Sequence, residues 1–346
     1  MMASKRQPSI DASAIFLCLL AAGCGSLKAA LLTVSAGAAC LLLSLLALGA
    51  LRPLTGGWRS AAALILSAAL TTAVRLGLYA LSPSWSEAMG PSELATATLL
   101  FSGPAACSLM NRPAALTPGR IFGSAAALLG IGAARELLSA GSLMEVRLLP
   151  DNALLSSSFG FGAAGIVLTG VLMALFRLRG QGRVFGVRPR EGGVFALCAA
   201  ARCVVVGGMY TLFTRVLPLP EAWRLWAAAL TAAVLSLLGQ ALFAPKQNAS
   251  PMRDVARWAS GDATLGTLAI LTVIVVDARL LQAAPLAAFG LFTAGAAILF
   301  ALCALVTAAV PRLDTSGNIH LPVSFRPLPV LVTMAGLAML ALSVLP

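Results

Sequence analysis

The chain has 346 residues, of which 59% are hydrophobic and 10% are charged. A soluble domain carries about 25% charged residues, so this composition excludes an ordinary globular cytosolic protein. The formal net charge is +12, but most Lys and Arg residues lie between apolar runs, which is typical of sidedness in a membrane. We therefore predict an all-α polytopic membrane protein that lies in the lipid bilayer and has no nucleic-acid partner.

Apolar runs follow one another along most of the chain, and a bilayer-crossing helix needs about 20 apolar residues. The pattern predicts about 11 transmembrane helices, at residues 12–27, 29–51, 60–82, 94–110, 120–141, 153–177, 192–215, 225–245, 263–282, 285–310 and 327–345. The first run also has features of a secretory signal. We interpret it as a retained first helix, because the apolar run continues almost unbroken into the next span.

Basic residues cluster in alternate loops of this pattern. If the N-terminus is cytoplasmic, sixteen of the 24 Lys and Arg residues lie on the cytoplasmic side. They are Lys5, Arg6, Arg52, Arg59, Arg112, Arg120, Arg177, Arg179, Arg183, Arg188, Arg190, Lys246, Arg253, Arg257, Arg312 and Arg326. The positive-inside rule then predicts a multi-pass protein of the inner (plasma) membrane, with its N-terminus cytoplasmic and its C-terminus outside.

One loop rich in Arg and Gly, at residues 177–191, forms the strongest internal boundary. It predicts a six-helix half at residues 1–180, a basic cytoplasmic linker at 181–191 and a five-helix half at 192–346.

Two of the seven cysteines have unusual neighbours. Cys18 precedes the glycine-containing stretch AAGCGSLK, and Cys107 follows Gly103 and Pro104, which weaken a helix. Helix breaks at membrane depth face protein or a cavity and often mark binding sites. The simpler interpretation of each cysteine is a small apolar residue in a helix.

Ionisable residues inside predicted spans are the other candidates for function. Two lie deep and are predicted to pair internally: Arg75 and Arg202. Four lie near the outer ends of their spans, where we expect the side chains to reach the membrane interface: Arg135, Glu136, Asp277 and Arg279.

Three segments in chain order resemble the Rnf-Nqr family of membrane subunits, the A/E subunits of Rnf complexes and the D/E subunits of Na+-translocating NADH:quinone reductase. Residues 17–31, LCLLAAGCGSLKAAL, resemble the first-helix signature, in which a cysteine precedes a lysine by ten residues, here Cys18 and Lys28. Residues 99–113, LLFSGPAACSLMNRP, resemble the fourth-helix signature. Residues 128–150 resemble the end of the fifth helix through their Arg-Glu-Leu-Leu sequence.

The second half resembles a diverged copy of the A-type partner whose first helix is missing. In that interpretation 192–215, 225–245 and 263–282 are its second, third and fourth helices. The family's two partner types are inverted in the membrane relative to each other. Six plus five helices in one chain preserve this inversion, which is a known way to build a site near the bilayer midplane.

The resemblance implies that Cys18 and Cys107 are ligands of a [2Fe–2S] cluster. Such a cluster ordinarily takes four thiolates, and the corresponding second-half region has Val276 and Asp277 instead of cysteine. The ligand set in this chain is therefore incomplete.

The function implied is that of a non-catalytic integral membrane subunit, which carries electrons across the bilayer in an ion-translocating Rnf/Nqr-type complex. Catalysis would belong to partner subunits that bind flavin and NADH or ferredoxin. The alternative is a cluster-free membrane permease or structural scaffold with the same inverted fold.

Overall fold

The computed structural model describes 24–54, 56–89, 92–110, 118–144, 146–149, 204–210, 221–243 and 251–261, with single residues at 165, 168, 194, 197, 198, 201, 202, 212, 263, 266, 267, 269 and 270. The described part is mostly helical. Three of its helices are long and apolar enough to cross a membrane: Leu27–Ala50, Gly57–Leu81 and Trp223–Leu242.

The described residues therefore confirm the helical class and contain three candidate membrane spans. The predicted spans at 12–27, 153–177, 263–282, 285–310 and 327–345 lie wholly or mostly outside the described residues, as does the linker at 181–191. The count of about 11 helices and the inverted halves therefore stay predictions.

Helix α1, Leu27–Ala50, agrees with the predicted span at 29–51. Ser26 begins it as N-cap, because its side chain accepts a hydrogen bond from the Ala29 amide at 3.1 Å. The helix is apolar around most of its circumference, which is typical of a helix buried in protein or lipid. A turn that contains Pro53 follows its end.

Helix α2, Gly57–Leu81, agrees with the predicted span at 60–82. It begins after Gly56, whose φ of 56° lies in the left-handed region that favours glycine. It ends at Ser82, which has an extended backbone because the next residue, Pro83, disfavours the helical conformation of the residue before it.

The predicted span at 94–110 forms two short helices. They are α4, Ser92–Leu100, and α5, Ser102–Met110, and a turn at Phe101 separates them. A further short helix, α3, precedes them at Pro83–Ala88. The expected break before Cys107 is present at Phe101, six residues before the thiol. Proline is tolerated in the first turn of a helix, which is where α5 has it.

Helix α6, Pro118–Ala140, agrees with the predicted span at 120–141. It ends at Gly141, whose φ is 65°, as expected for a glycine cap. A two-stranded antiparallel hairpin follows, with β1 at Ser142–Leu143 and β2 at Val146–Arg147. The all-α prediction did not include this hairpin.

Helix α7, Glu221–Leu242, agrees with the predicted span at 225–245. Helix α8, Pro251–Gly261, packs against it, and Gly239 of α7 meets Ser260 of α8. The sequence prediction had only a basic loop where α8 lies.

Helices α1, α2, α5 and α7 meet in a central apolar cluster. The most extensive contact between two described helices joins α2 and α7. They lie antiparallel, since Gly57 at the start of α2 meets Gln240 near the end of α7. The buried residues of the central cluster are Leu48, Ala63, Leu64, Ala68, Leu100, Phe101, Ala106, Cys107, Val206, Tyr210, Ala228, Ala229, Ala232, Ala263, Ala269 and Ile270.

Candidate functional site

The chain is not helical at Cys24, Gly25 and Ser26, the three residues before α1. We call this segment the N-terminal break. Glu136 of α6 accepts a hydrogen bond from the Leu27 amide at 2.7 Å. Arg135 donates from Nη1 to the Cys24 carbonyl at 2.9 Å. Two adjacent side chains thus bind an amide and a carbonyl that the break leaves without helical partners.

Both side chains are buried, with Arg135 2% and Glu136 8% exposed. The expectation that they extend to the membrane interface is therefore wrong. The physical reason is that buried backbone groups without partners are costly in an apolar medium. A charged group that bonds to such a group gains more than a neutral one. A carboxylate at a helix N-terminus is also favoured by the helix dipole.

Close packing of α6 on α1 brings the side chains of Arg135 and Glu136 within hydrogen-bonding distance of the N-terminal break. Gly132 lies against the start of α1, and a Cβ added to it would lie 2.6 Å from the Ala30 Cβ and 3.0 Å from the Ser26 carbonyl oxygen. Only glycine fits there without a shift. Gly132 precedes Arg135 by three residues, so the two lie on neighbouring positions of one helix face.

The N-terminal break joins two of the segments that carry the family resemblance. Cys24, Ser26 and Lys28 belong to 17–31, whereas Arg135 and Glu136 belong to 128–150. The structure brings these distant segments into direct contact. Sequence reasoning had singled out both segments but had not paired them. The sequence feature that could have indicated this contact is the adjacent pair Arg135 and Glu136 within an otherwise apolar run.

The second break lies at Phe101, between α4 and α5. Gly103 packs against α2, where an added Cβ would meet the Ala63 carbonyl oxygen and would lie 2.8 Å from the Ser67 Cβ. The hydroxyl of Ser102, fully buried, has no hydrogen-bond partner among the described residues. The hydroxyl of Ser44 on α1 is likewise without one there.

Other buried hydroxyls of the described helices behave differently, because they donate to a carbonyl of the preceding turn. Thr33 bonds to Ala29 at 2.7 Å and Thr71 bonds to Ser67 at 2.7 Å. This back-bonding is the usual solution for a hydroxyl in a membrane helix. Ser102 at the second break and Ser44 on α1 differ from these threonines in having no such bond among the described residues.

Cys107, 9% exposed, belongs to the central cluster and its neighbours there are apolar or aromatic side chains. Cys18 lies outside the described residues. None of the described cysteines is in a disulfide: Cys24, Cys40, Cys107 and Cys198. Within the described part of the chain, no three His, Cys, Asp or Glu side chains form a group that could hold a metal ion.

A [2Fe–2S] cluster ordinarily takes four thiolates, and the described residues do not bring four cysteines together. The described residues of the second half's fourth-helix segment, 263, 266, 267, 269 and 270, include no cysteine. Val276 and Asp277 lie outside the described residues, as does Arg279.

Arg202 is 5% exposed, which confirms the prediction that it lies inside the protein. Its Nη2 donates to the Ala232 carbonyl oxygen at 3.4 Å and to the Ser236 hydroxyl. Gly266 leaves room for the guanidinium, and Leu64 of α2 borders the same space. Arg202 therefore lies where residues of both predicted halves meet.

Arg75, the other residue predicted to pair internally, is exposed, so that prediction is wrong. It lies six residues before the end of α2, within about 9 Å of that end along the helix. A long arginine side chain can extend over that distance toward the interface while its aliphatic part stays on apolar surface.

Comparisons of the chain with protein-family models, with curated proteins and with solved structures found no match.

Proposed function

We propose that this chain is an integral membrane subunit of an Rnf/Nqr-type ion-translocating electron transport complex, built from two inverted halves in one chain. Its partners would be the subunits that bind flavin and NADH or ferredoxin. The proposal starts from three sequence segments that resemble the family in the family's order. The contact between two of them at the N-terminal break is the observation that carries it.

The packing of α2 on α7 supports the inverted arrangement. In the sequence interpretation these are the third helices of the first and second halves. Equivalent helices related by a two-fold axis in the membrane plane run in opposite directions, and α2 and α7 are antiparallel and in extensive contact. Residues of both halves contribute to the central cluster.

The proposal is tested by purifying the tagged full-length chain in mild detergent without oxygen. We expect flavin-containing partners to co-purify and the eluate to oxidise NADH or reduced ferredoxin. A variant with Gly132→Leu, which removes the space for the N-terminal break, should lose these partners, whereas Gly130→Leu on the exposed face of α6 should retain them. A chain that purifies without any redox subunit would contradict the proposal.

Electron carriage by the chain itself needs a cofactor, and the resemblance implies Cys18 and Cys107 as its ligands. Iron and acid-labile sulfide in the freshly purified complex, with EPR spectra of the reduced sample, test this role. Cys18→Ala and Cys107→Ala should each abolish a cluster signal that depends on this chain. Cys40→Ala is the matched control, since Cys40 is also a buried free thiol but belongs to a separate apolar cluster.

The second candidate is a cluster-free scaffold or permease with the same inverted fold. The membership of Cys107 in the central cluster favours it, because a buried cysteine usually behaves as a small apolar residue. Iron-free preparations that still contain the redox partners would support a scaffold within the complex. Preparations that contain neither iron nor redox partners would favour the permease.

A further inference from the structure

Basic residues of two separate segments lie at one end of the helices. The loop between α1 and α2 carries Arg52, and Arg59 follows in the first turn of α2. Helix α8 carries Arg253 and Arg257. We call the end of the molecule that these four residues share the basic end.

Gln240, near the end of α7, lies beside both segments of the basic end. Its Oε1 lies 2.6 Å from the position of a Cβ added at Gly57, and its Cγ lies 2.7 Å from that of a Cβ added at Gly261. Glycine at both positions lets the start of α2 and the end of α8 approach the same amide side chain. The arginines are therefore brought to one end by tertiary packing.

Arg253 is anchored but incompletely bonded. Its Nη2 donates to the Leu242 carbonyl at 3.3 Å. Its buried Nε has no hydrogen-bond partner among the described residues. Arg257 lies one turn further along α8, on the same face. Both side chains are half-buried, so each keeps part of its surface exposed, and a planar guanidinium matches the oxygens of a phosphate group.

The location of α8 indicates where that phosphate comes from. Residues 223–242 of α7 are long and apolar enough to cross a membrane, and α8 begins nine residues after α7 ends. An amphipathic helix beside a span can lie in the membrane interface, at the depth of the lipid headgroups. Basic segments beside a membrane span attract anionic lipids, and Trp258 is of a type enriched at the interface.

We propose that the basic end binds the phosphate groups of anionic phospholipids, with α8 lying along the membrane surface. Arg253 and Arg257 bind the headgroups, and Arg52 adds positive charge beside them. Arg59 has a structural role, since its Nε and Nη2 donate to the carbonyl oxygens of Leu54 and Arg52, both at 3.1 Å. The proposal does not rest on the electron-transport assignment.

Native mass spectrometry of the full-length protein in neutral detergent tests it. The protein is titrated with phosphatidylglycerol and, separately, with phosphatidylcholine of the same acyl chains. We expect tighter binding of phosphatidylglycerol, weakened about fivefold by each of Arg253→Gln and Arg257→Gln. Lys28→Gln, an exposed lysine beside the N-terminal break, is the matched control and should change nothing.

Equal binding of the two lipids, or phosphatidylglycerol binding that survives both substitutions, would overturn the proposal. Displacement of phosphatidylglycerol by an equal concentration of inorganic phosphate would also overturn it, since the site would then take the free ion. A thermal melt of each single variant before titration distinguishes the loss of a lipid site from misfolding of the protein.

Discussion

The N-terminal break and the basic end use charged side chains in opposite ways. At the break, Arg135 and Glu136 are buried and bond to backbone groups of another helix. At the basic end, Arg253 and Arg257 are half-buried. A charge taken out of water needs a fixed partner inside the protein, whereas a charge at the surface can share water, ions or headgroups. The first kind sets the fold, and the second is available for binding.

Glycines show the same difference between the two regions. Gly132 lies against a short side chain and a backbone carbonyl of α1, neither of which can move away cheaply. Gly57 lies against the far end of the flexible Gln240 side chain. The break is therefore a rigid contact, and the basic end is an adjustable one.

The largest expected effect follows from removing the carboxylate at the N-terminal break. Glu136→Ala leaves the Leu27 amide without its acceptor and should lower the free energy of unfolding by about 2 to 3 kcal/mol, the range for hydrogen bonds to charged groups. Thermal unfolding in detergent measures the loss. Glu136→Gln retains an acceptor oxygen and should recover part of it.

Glu87→Ala is the matched control for that change, because Glu87 is exposed at the end of α3. It should alter stability by no more than about 0.5 kcal/mol. Equal destabilisation by the two alanine substitutions would show that the bond to Leu27 contributes nothing specific.

A smaller effect is expected from the glycine that permits the close packing of α6. Gly132→Ala should cost about 1 to 3 kcal/mol, because the new methyl group overlaps Ala30 and the Ser26 carbonyl. Gly130→Ala, two residues away on an exposed face with nothing within 4 Å, should be neutral or stabilising by up to about 1 kcal/mol. Chemical unfolding should therefore show a loss of stability for Gly132→Ala alone, and an equal loss in both variants would contradict the packing at Gly132.

The smallest effect is expected at the basic end. Gly57→Ala should cost less than about 1 kcal/mol, since the Gln240 side chain can rotate away from the added methyl group. A double-mutant cycle with Gln240→Ala measures this coupling. A cost as large as that of Gly132→Ala would mean that Gln240 is held rigidly, which would remove the difference between the two regions.

Local sequence features predicted the helices well. The ends of α1, α2 and α6 agree with the apolar runs to within three residues. The break beside Cys107 was also expected from Gly103 and Pro104. These features depend on neighbouring residues alone, through run length and through the backbone preferences of Gly and Pro.

The charged residues were predicted less well, because burial depends on which helix face meets another helix. Arg202 lies inside as expected, but Arg75, also within a span, is exposed. Arg135 and Glu136 were expected at the interface and are buried. The site at the N-terminal break joins residues 109 positions apart in the chain, and local pattern carries no information about such a pairing.

The sequence by itself determined that this is a helical membrane protein and where its described long helices begin and end, because a bilayer-spanning helix must be apolar over a fixed length. It also marked the two places where helices break. Only the tertiary structure decided what each break contacts. The bonds of Arg135 and Glu136 to the break before α1 arise because Gly132 lets α6 approach it. The basic end exists because α2 and α8 both pack against α7, where Gly57 and Gly261 each lie beside Gln240.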